Sequence, residues 1–488
     1  MKQKKLEEKA LGGIFWSGLE MFAQRGISFV VQIILARLLL PEQFGLIAMV
    51  AVFVAIAISL ADGGFSSAII QKQNPSPQDL STVFYSNLGL AILLIFLIYL
   101  ASPFIADFYS EPKLTPLLRV ISIGVLFDAL GRIHVSLLQK DMQFKQLTKA
   151  VIPGSMLGGT IGVCMAYAGF GVWALVALTL ITRFSQMLMY WRMSTWRPER
   201  IFSFSSLKSL FPYGSRLAAS SLLDTIFTNI YVLIIGRLFL VADVGLYQKA
   251  VGFKNMGQMS FFTAISRVAF PLFSTVQNDI LRLKAGFLKA IRLTAFISLP
   301  TMAFMGGSSV VLVTLLLGEE WIVTGEYLRL LSIPGALFCL HYLNVVLLKA
   351  IGRSDLFLRL EIFKKVMIVA AIVITYRYGI MALIWGQVVT TLISYYINCF
   401  FTNRFIQVSF VAQLKTVFPS MIWAALVFLA SASSVLLYDG SRAIQLVLSV
   451  ALACLTSVVF LLLFRSYFSS EEKLIIATIQ KLKKRNES

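Results

Sequence analysis

Apolar stretches long enough to cross a lipid bilayer recur from one end of this 488-residue chain to the other. In hydrocarbon every backbone N–H and C=O must find its partner within the chain, so each stretch is read as a membrane-spanning helix. The spans fall near 13–36, 44–68, 81–105, 115–138, 147–168 and 171–190, then near 213–236, 244–266, 286–316, 325–348, 357–376 and 380–402. Two more follow near 412–437 and 443–464, about 14 in all, giving an all-α polytopic membrane protein. A hydrophobic content of 58%, a mean hydropathy of +0.82 and only 14% charged residues agree, being far from the mix of a soluble domain.

A net charge of +20 invites a nucleic-acid reading, which the placement of the charge answers. With the amino terminus inside, the segments on that side hold 28 of the 43 Lys and Arg. The opposite loops hold five, Arg37, Lys113, Arg237, Arg377 and Arg442, and the other ten lie within spans. That bias puts both termini in the cytoplasm and makes the basicity topogenic, with no nucleic-acid partner expected. The first apolar stretch lacks a small-residue cleavage site and carries Glu20 and Arg25, so it is read as a retained span. Cys164, Cys339, Cys399 and Cys454 are scattered through spans without disulfide or metal spacing and read as small packing residues.

The phrase Ala36-Arg37-Leu38-Leu39-Leu40-Pro41-Glu42-Gln43-Phe44-Gly45-Leu46 returns 200 positions later as Gly236-Arg237-Leu238-Phe239-Leu240-Val241-Ala242-Asp243-Val244-Gly245-Leu246. Leu118-Arg119-Val120-Ile121-Ser122-Ile123 returns as Leu328-Arg329-Leu330-Leu331-Ser332-Ile333, and Leu137-Leu138-Gln139 as Leu347-Leu348-Lys349, both shifted by 210. Echoes in constant order at nearly constant shift indicate a duplication. The expected organisation is an N-lobe at 1–190, a cytoplasmic connection at 191–210 and a C-lobe at 211–402. Two accessory helices at 403–465 and a cytoplasmic tail at 466–488, amphipathic over 471–485, complete the chain. An even number of spans per lobe makes the repeats parallel, related by a pseudo-two-fold axis along the membrane normal. Pro153-Gly154 with Gly158, Gly159 and Gly162, and Pro334-Gly335, fall inside spans; hinges and close helix packing both use such residues, and packing is favoured for the glycines.

Enzyme signatures are missing. No Gly-rich phosphate loop ends in Gly-Lys-Ser or Gly-Lys-Thr, the two histidines, His134 and His341, sit in spans without a ligand cluster, and the outer loops are short. No cofactor or metal is expected. Charge within the membrane is the remaining signal, since an ionisable group at midplane costs at least about 2.5–3.5 kcal/mol unless it faces a cavity or a partner. Arg25 lies near midplane in the first span, with Asp224 at the matching depth in the seventh, and Lys249 and Lys254 in the outer half to middle of the eighth. Arg25, Lys249 and Lys254 have no carboxylate three or four residues away and are the candidate ligands for an anionic substrate. Glu20, Asp62 and Asp224 are candidate counter-charges or holders of a coupling cation. Asp128 and Arg132, four apart, read as a pair within one helix, while Asp62, Arg132 and Arg216 lie nearer the cytoplasmic face, where snorkelling suffices.

Arg37-Leu38-Leu39-Leu40-Pro41-Glu42-Gln43-Phe44-Gly45, together with Ala61-Asp62-Gly63-Gly64-Phe65-Ser66-Ser67-Ala68-Ile69-Ile70-Gln71, resembles the polysaccharide-transporter branch of the multidrug/oligosaccharidyl-lipid/polysaccharide flippase superfamily, and within it the Wzx-type lipopolysaccharide and colanic-acid exporters. The resemblance spans essentially the whole chain. It implies a bacterial inner-membrane protein that flips undecaprenyl-pyrophosphate-linked oligosaccharide by alternating access between two lobes, with arginines in the central cavity, a place that Arg25 fits. Lys249 and Lys254 match no motif of the family. Other partners implied are membrane lipids, a coupling cation and a polysaccharide polymerase. Two competing readings are a cation-coupled multidrug exporter of the same superfamily, which would favour an acidic cavity, and a membrane polymerase or glycosyltransferase, which would need a sizeable outer loop.

Overall fold

The structure is a computed structural model that describes residues 2–464, the side chains of 2–15, 259–268 and 354 excepted. The tail expected to be amphipathic lies outside the described residues. All regular structure among the described residues is helical, and the chain forms two compact units, 1–248 and 249–488.

Unit 1 comprises α1 (Lys2–Leu38), α2 (Pro41–Asp62), α3 (Phe65–Gln71), α4 (Pro77–Tyr109), α5 (Leu114–Ile121), α6 (Ile123–Lys140), α7 (Phe144–Tyr167), α8 (Val172–Met193) and α9 (Phe204–Leu238). Helix α10 (Val241–Thr275) starts in unit 1 and continues into unit 2. Unit 2 continues with α11 (Ile280–Gly307), α12 (Ser309–Leu317), α13 (Ile322–Ala350), α14 (Ser354–Thr375), α15 (Ile380–Ile406), α16 (Phe410–Ala432), α17 (Ser434–Leu437) and α18 (Arg442–Leu463). A helix stands at each of the fourteen expected spans, and twelve of the described helices are long and apolar enough to cross a membrane. The other two are α10 and α14. In α14 the cluster Asp355, Arg359, Glu361, Lys364 and Lys365 breaks the apolar run.

Within unit 1, α7 packs along α8 and α1, α4 on α5 and α6, and α9 on α2, α3 and α4. The last set carries the compact unit past the 191–210 connection to residue 248. Helix α7 runs unbroken through Pro153, and a Cβ at Gly154 or Gly158 would press on Gln186 or Thr182 of α8, so these glycines serve close packing. Within unit 2, α11 packs on α13 and α16, α13 on α15, and α16 on α18, around a core that includes Phe273, Phe287, Leu347, Tyr395 and Cys399. Cys339 and Cys399 are buried there, while Cys164 and Cys454 lie on exposed helix faces.

The repeated phrase folds the same way twice. Helix α1 ends at Leu38 and α2 begins at Pro41; α9 ends at Leu238 and α10 begins at Val241. Gln43 Oε1 accepts the Leu40 N–H at 3.1 Å, and Asp243 Oδ2 accepts the Leu240 N–H at 3.2 Å, each relieving a free donor at a helix start. The shared glycines meet reciprocally: a Cβ on Gly45 would collide with the Val241 carbonyl oxygen, and one on Gly245 with the Pro41 carbonyl oxygen. The second echo repeats too, with Ser122 Oγ donating to the Arg119 carbonyl at 2.9 Å and Ser332 Oγ to the Arg329 carbonyl at 2.7 Å. The Arg237 guanidinium lies over the Phe108 ring, 4.9 Å from its centre, a framework contact.

Candidate functional site

Helix α2 stops at Asp62 because Gly63 and Gly64 follow with φ of 54° and 72°, left-handed values that residues with a Cβ rarely adopt. The turn leaves the Asp62 carboxylate facing inward, where it accepts a hydrogen bond from Ser66 Oγ at the start of α3. A Cβ on Gly64 would strike the Gly214 carbonyl, so the same turn lets α9 approach. These contacts wall a cavity of about 790 Å³ inside unit 1, between α2, α3, α6, α8 and α9.

Four charged side chains line it: Asp62, Arg132, Arg183 and Asp224. Hydroxyls and one carboxamide fill in between them, including Thr179, Thr225 and Asn229, with Ser59 Oγ and Ser221 Oγ 3.0 Å apart. Arg132 Nε lies 3.7 Å from Asp62 Oδ1, and Arg183 pairs with Asp128. The expected pair of Asp128 with Arg132 on one helix is therefore replaced by two pairs between helices, α6 to α2 and α6 to α8. Spacing of four allows an intrahelical contact of modest worth, whereas each arginine here reaches a carboxylate across the cavity wall. The groups of both pairs are 22–32% exposed, in keeping with a wetted cavity.

The remaining sequence candidates are dispersed. Glu20 and Arg25 are half-buried on α1 and line neither this cavity nor the smaller one next to it. Arg216 is exposed on α9. Lys249 and Lys254 belong to unit 2; the Lys249 ammonium lies 5.8 Å from the centre of the buried Trp321 ring, and the Lys254 stem packs where Gly335 leaves α13 without a side chain. His134 is buried between Trp191 and Trp196, at 4.8 and 5.4 Å between ring centres, a packing role. The charge inventory did not single out Arg183. Its signal was present, as one of the ten basic residues inside spans, but its partner is on another helix.

Two guanidiniums, each held by one carboxylate, can exchange that carboxylate for an anionic oxygen of a ligand and offer bidentate hydrogen bonds to it. Serine, threonine and asparagine side chains supply further donors and acceptors for a polar ligand.

The chain is 28% identical to the lipopolysaccharide biosynthesis protein WzxC of Escherichia coli, over 80% of this chain and 81% of that one. It is 25% identical to the teichuronic acid biosynthesis protein TuaB of Bacillus subtilis (85% and 86% covered) and 24% identical to the succinoglycan biosynthesis transport protein ExoT of Rhizobium meliloti (70% and 69%). In fold it is similar to the lipid II flippase MurJ in an inward closed conformation, with a TM-score of 0.72 at 14% identity over 93% of this chain and all of that one. It is also similar to an inward-facing multidrug transporter of the MOP superfamily, with a TM-score of 0.63 at 16% identity over 79% and 96%. The match to family sequences runs from residue 34 to residue 326, more than half of the chain: the chain belongs to the polysaccharide biosynthesis protein family.

Proposed function

We propose that this multi-pass membrane protein is a flippase that moves undecaprenyl-pyrophosphate-linked oligosaccharide, an O-antigen or exopolysaccharide repeat unit, across the bacterial inner membrane by alternating access. Both termini are cytoplasmic in this reading. The observation that carries it is the cavity lined by two arginines and two aspartates among helices of bilayer length. A pyrophosphate bears roughly two to three negative charges that hydrocarbon cannot take uncompensated, and a watered path whose arginines trade carboxylate for phosphate oxygens lowers that barrier while the prenyl tail stays in lipid. The relatives support the substrate class: WzxC, TuaB and ExoT are named for making or transporting polysaccharides, and MurJ for flipping a lipid.

Arg132 and Arg183 hold the phosphates in this proposal, and Arg25, Lys249 and Lys254, outside that cavity, are further candidate cations for the substrate. Asp62, Asp128, Asp224 and Glu20 balance them when the site is empty, and one of these acids takes the coupling cation if transport is ion-driven. A polysaccharide polymerase receives the product. The multidrug alternative shares the fold; its organic cation would have to be taken by Asp224 or by Asp62 in competition with Arg132.

Reconstitution into liposomes with fluorescent undecaprenyl-pyrophosphate glycans tests the proposal. Transfer between leaflets well above that of protein-free vesicles is expected. Transfer at the protein-free rate, with efflux of organic cations instead, would replace it with the multidrug reading.

A further inference from the structure

Beside the charged cavity, unit 1 holds a second chamber of about 420 Å³ between α1, α7 and α8. Ile58, Thr179 and Arg183 line both spaces, so the two adjoin at the Arg183–Asp128 pair. The chambers differ in chemistry. The second is lined by carboxamides and hydroxyls, Gln24, Ser28, Ser155, Thr182 and Gln186, opposite an apolar wall of Ile27, Val31 and Leu178. Its one carboxylate, Asp128, is engaged by Arg183, and none of its lining residues is aromatic. Close approach of α7, permitted by Gly154, Gly158 and Gly159, sets Gln186, Thr182 and Val31 in place.

From this we infer a binding site for a single sugar ring: the second chamber receives the sugar joined directly to the phosphate that Arg183 holds. The inference rests on the reading of the chain as a carrier of lipid-linked glycan. A pyranose displays hydroxyls around its edge, each both donor and acceptor, and C–H groups on its faces. Carboxamides and hydroxyls match the edge because they too both donate and accept, and the aliphatic wall matches a face. A drug-like cation would want an unengaged carboxylate or an aromatic, apolar lining instead. Size permits it: a chamber of about 420 Å³ is ample for one monosaccharide ring. Connectivity agrees as well, since the first sugar is bonded to the phosphate and must lie next to the group that grips it.

The test is equilibrium binding to the detergent-solubilised full chain. The probes are bare undecaprenyl pyrophosphate and the same carrier bearing one glucose, galactose or N-acetylglucosamine. Wild type should bind at least one glycosylated carrier about tenfold or more tighter than the bare one. Gln186→Leu should erase that preference while leaving affinity for the bare carrier unchanged. Thr182→Val, which removes a hydroxyl at constant shape, should reduce the preference in the same way and reports on the site even if Gln186→Leu folds poorly. No preference in wild type, or a preference that persists in Thr182→Val, overturns the site; so does an equal loss for bare and glycosylated carriers. Wild type that shows the preference, loses it in the variants and yet moves no glycan in liposomes would uphold the sugar site and count against transport.

Discussion

The two units spend their buried polar side chains in different ways. In unit 2, Asn344 on α13 and Gln413 on α16 exchange two hydrogen bonds, at 3.0 and 3.2 Å, and each is at most 1% exposed. Asn344 also donates to the Leu340 carbonyl, and Tyr395 reaches Gln413 Oε1 at 3.5 Å. That network closes on itself and ties α13 to α16. In unit 1, Asp62, Asp128, Arg132 and Arg183 pair across helices but stay partly exposed and line open space. A saturated buried network holds one arrangement firmly, because any opening strands a polar group. A wetted pair gives up its partner at less cost, since water or a ligand replaces it. In the proposed function, unit 2's amides hold the bundle while unit 1's ion pairs are the ones free to meet a ligand.

The largest effect that sharpens this division should come from Arg183→Ala. Truncating one charge of a hydrogen-bonded pair in a binding site costs about 2–5 kcal/mol, so glycan transfer in liposomes should fall by about 30-fold or more. Thermal unfolding in detergent should move little, and Arg183→Lys should restore only part of the activity, because an ammonium cannot make the bidentate contact. A collapse of stability with unchanged transfer per folded molecule would make the pair structural after all. Asn344→Leu should show the opposite pattern. Leaving the Gln413 amide unsatisfied costs about 1–3 kcal/mol, read as a lower unfolding midpoint, with transfer per folded molecule near wild type.

Gly45→Ala and Gly245→Ala come next, each forcing a methyl against a carbonyl oxygen and costing about 1–3 kcal/mol. Because the contact is reciprocal, the two unfolding midpoints should fall by similar amounts; a large inequality breaks the equivalence of the repeated phrases. The smallest effect belongs to the Arg353–Asp355 pair, 2.9 Å apart at the exposed start of α14. Hydrogen bonds from Arg353 hold the Asp355 carboxyl down to about 2, below its ordinary 3.8. A depressed acid contributes fully above its ordinary value and loses that contribution as pH falls toward about 2. Asp355→Asn should therefore lower the unfolding midpoint slightly at pH 7, where the small contribution of a pair in water is fully present, and the two profiles should converge as pH falls toward about 2.

The helices were legible because bilayer length is a strong constraint, and even the charged α10 and α14 kept enough apolar length to be placed. The breaks at Ser122 and Ser308 were not, since both residues sit inside apolar runs of spanning length. Asp62, Asp128, Arg132 and Asp224 stood out in the sequence, Arg183 only as one of ten basic residues inside spans, and the pairing of none was visible. Spacing within a helix offered Arg132 to Asp128, while the structure gave Arg132 to Asp62 and Asp128 to Arg183, groups far apart in sequence that only helix packing brings together. Glycines 45 and 245 stood out as a shared letter of a repeated phrase, and their reason, two carbonyl oxygens, lay in the other copy of that phrase.

A contact in which each copy supplies the glycine and the carbonyl that the other needs is self-complementary, the kind by which two identical subunits recognise one another. Two separate half-length chains would present each other with the same pair of surfaces. Joining them through 191–210 fixes their ratio at one to one and releases each from having to remain a copy of the other. Gln24-Arg25 in one copy against Asp224-Thr225 in the other is what such release looks like: the phrase kept where its copies meet, the sequence free to differ elsewhere.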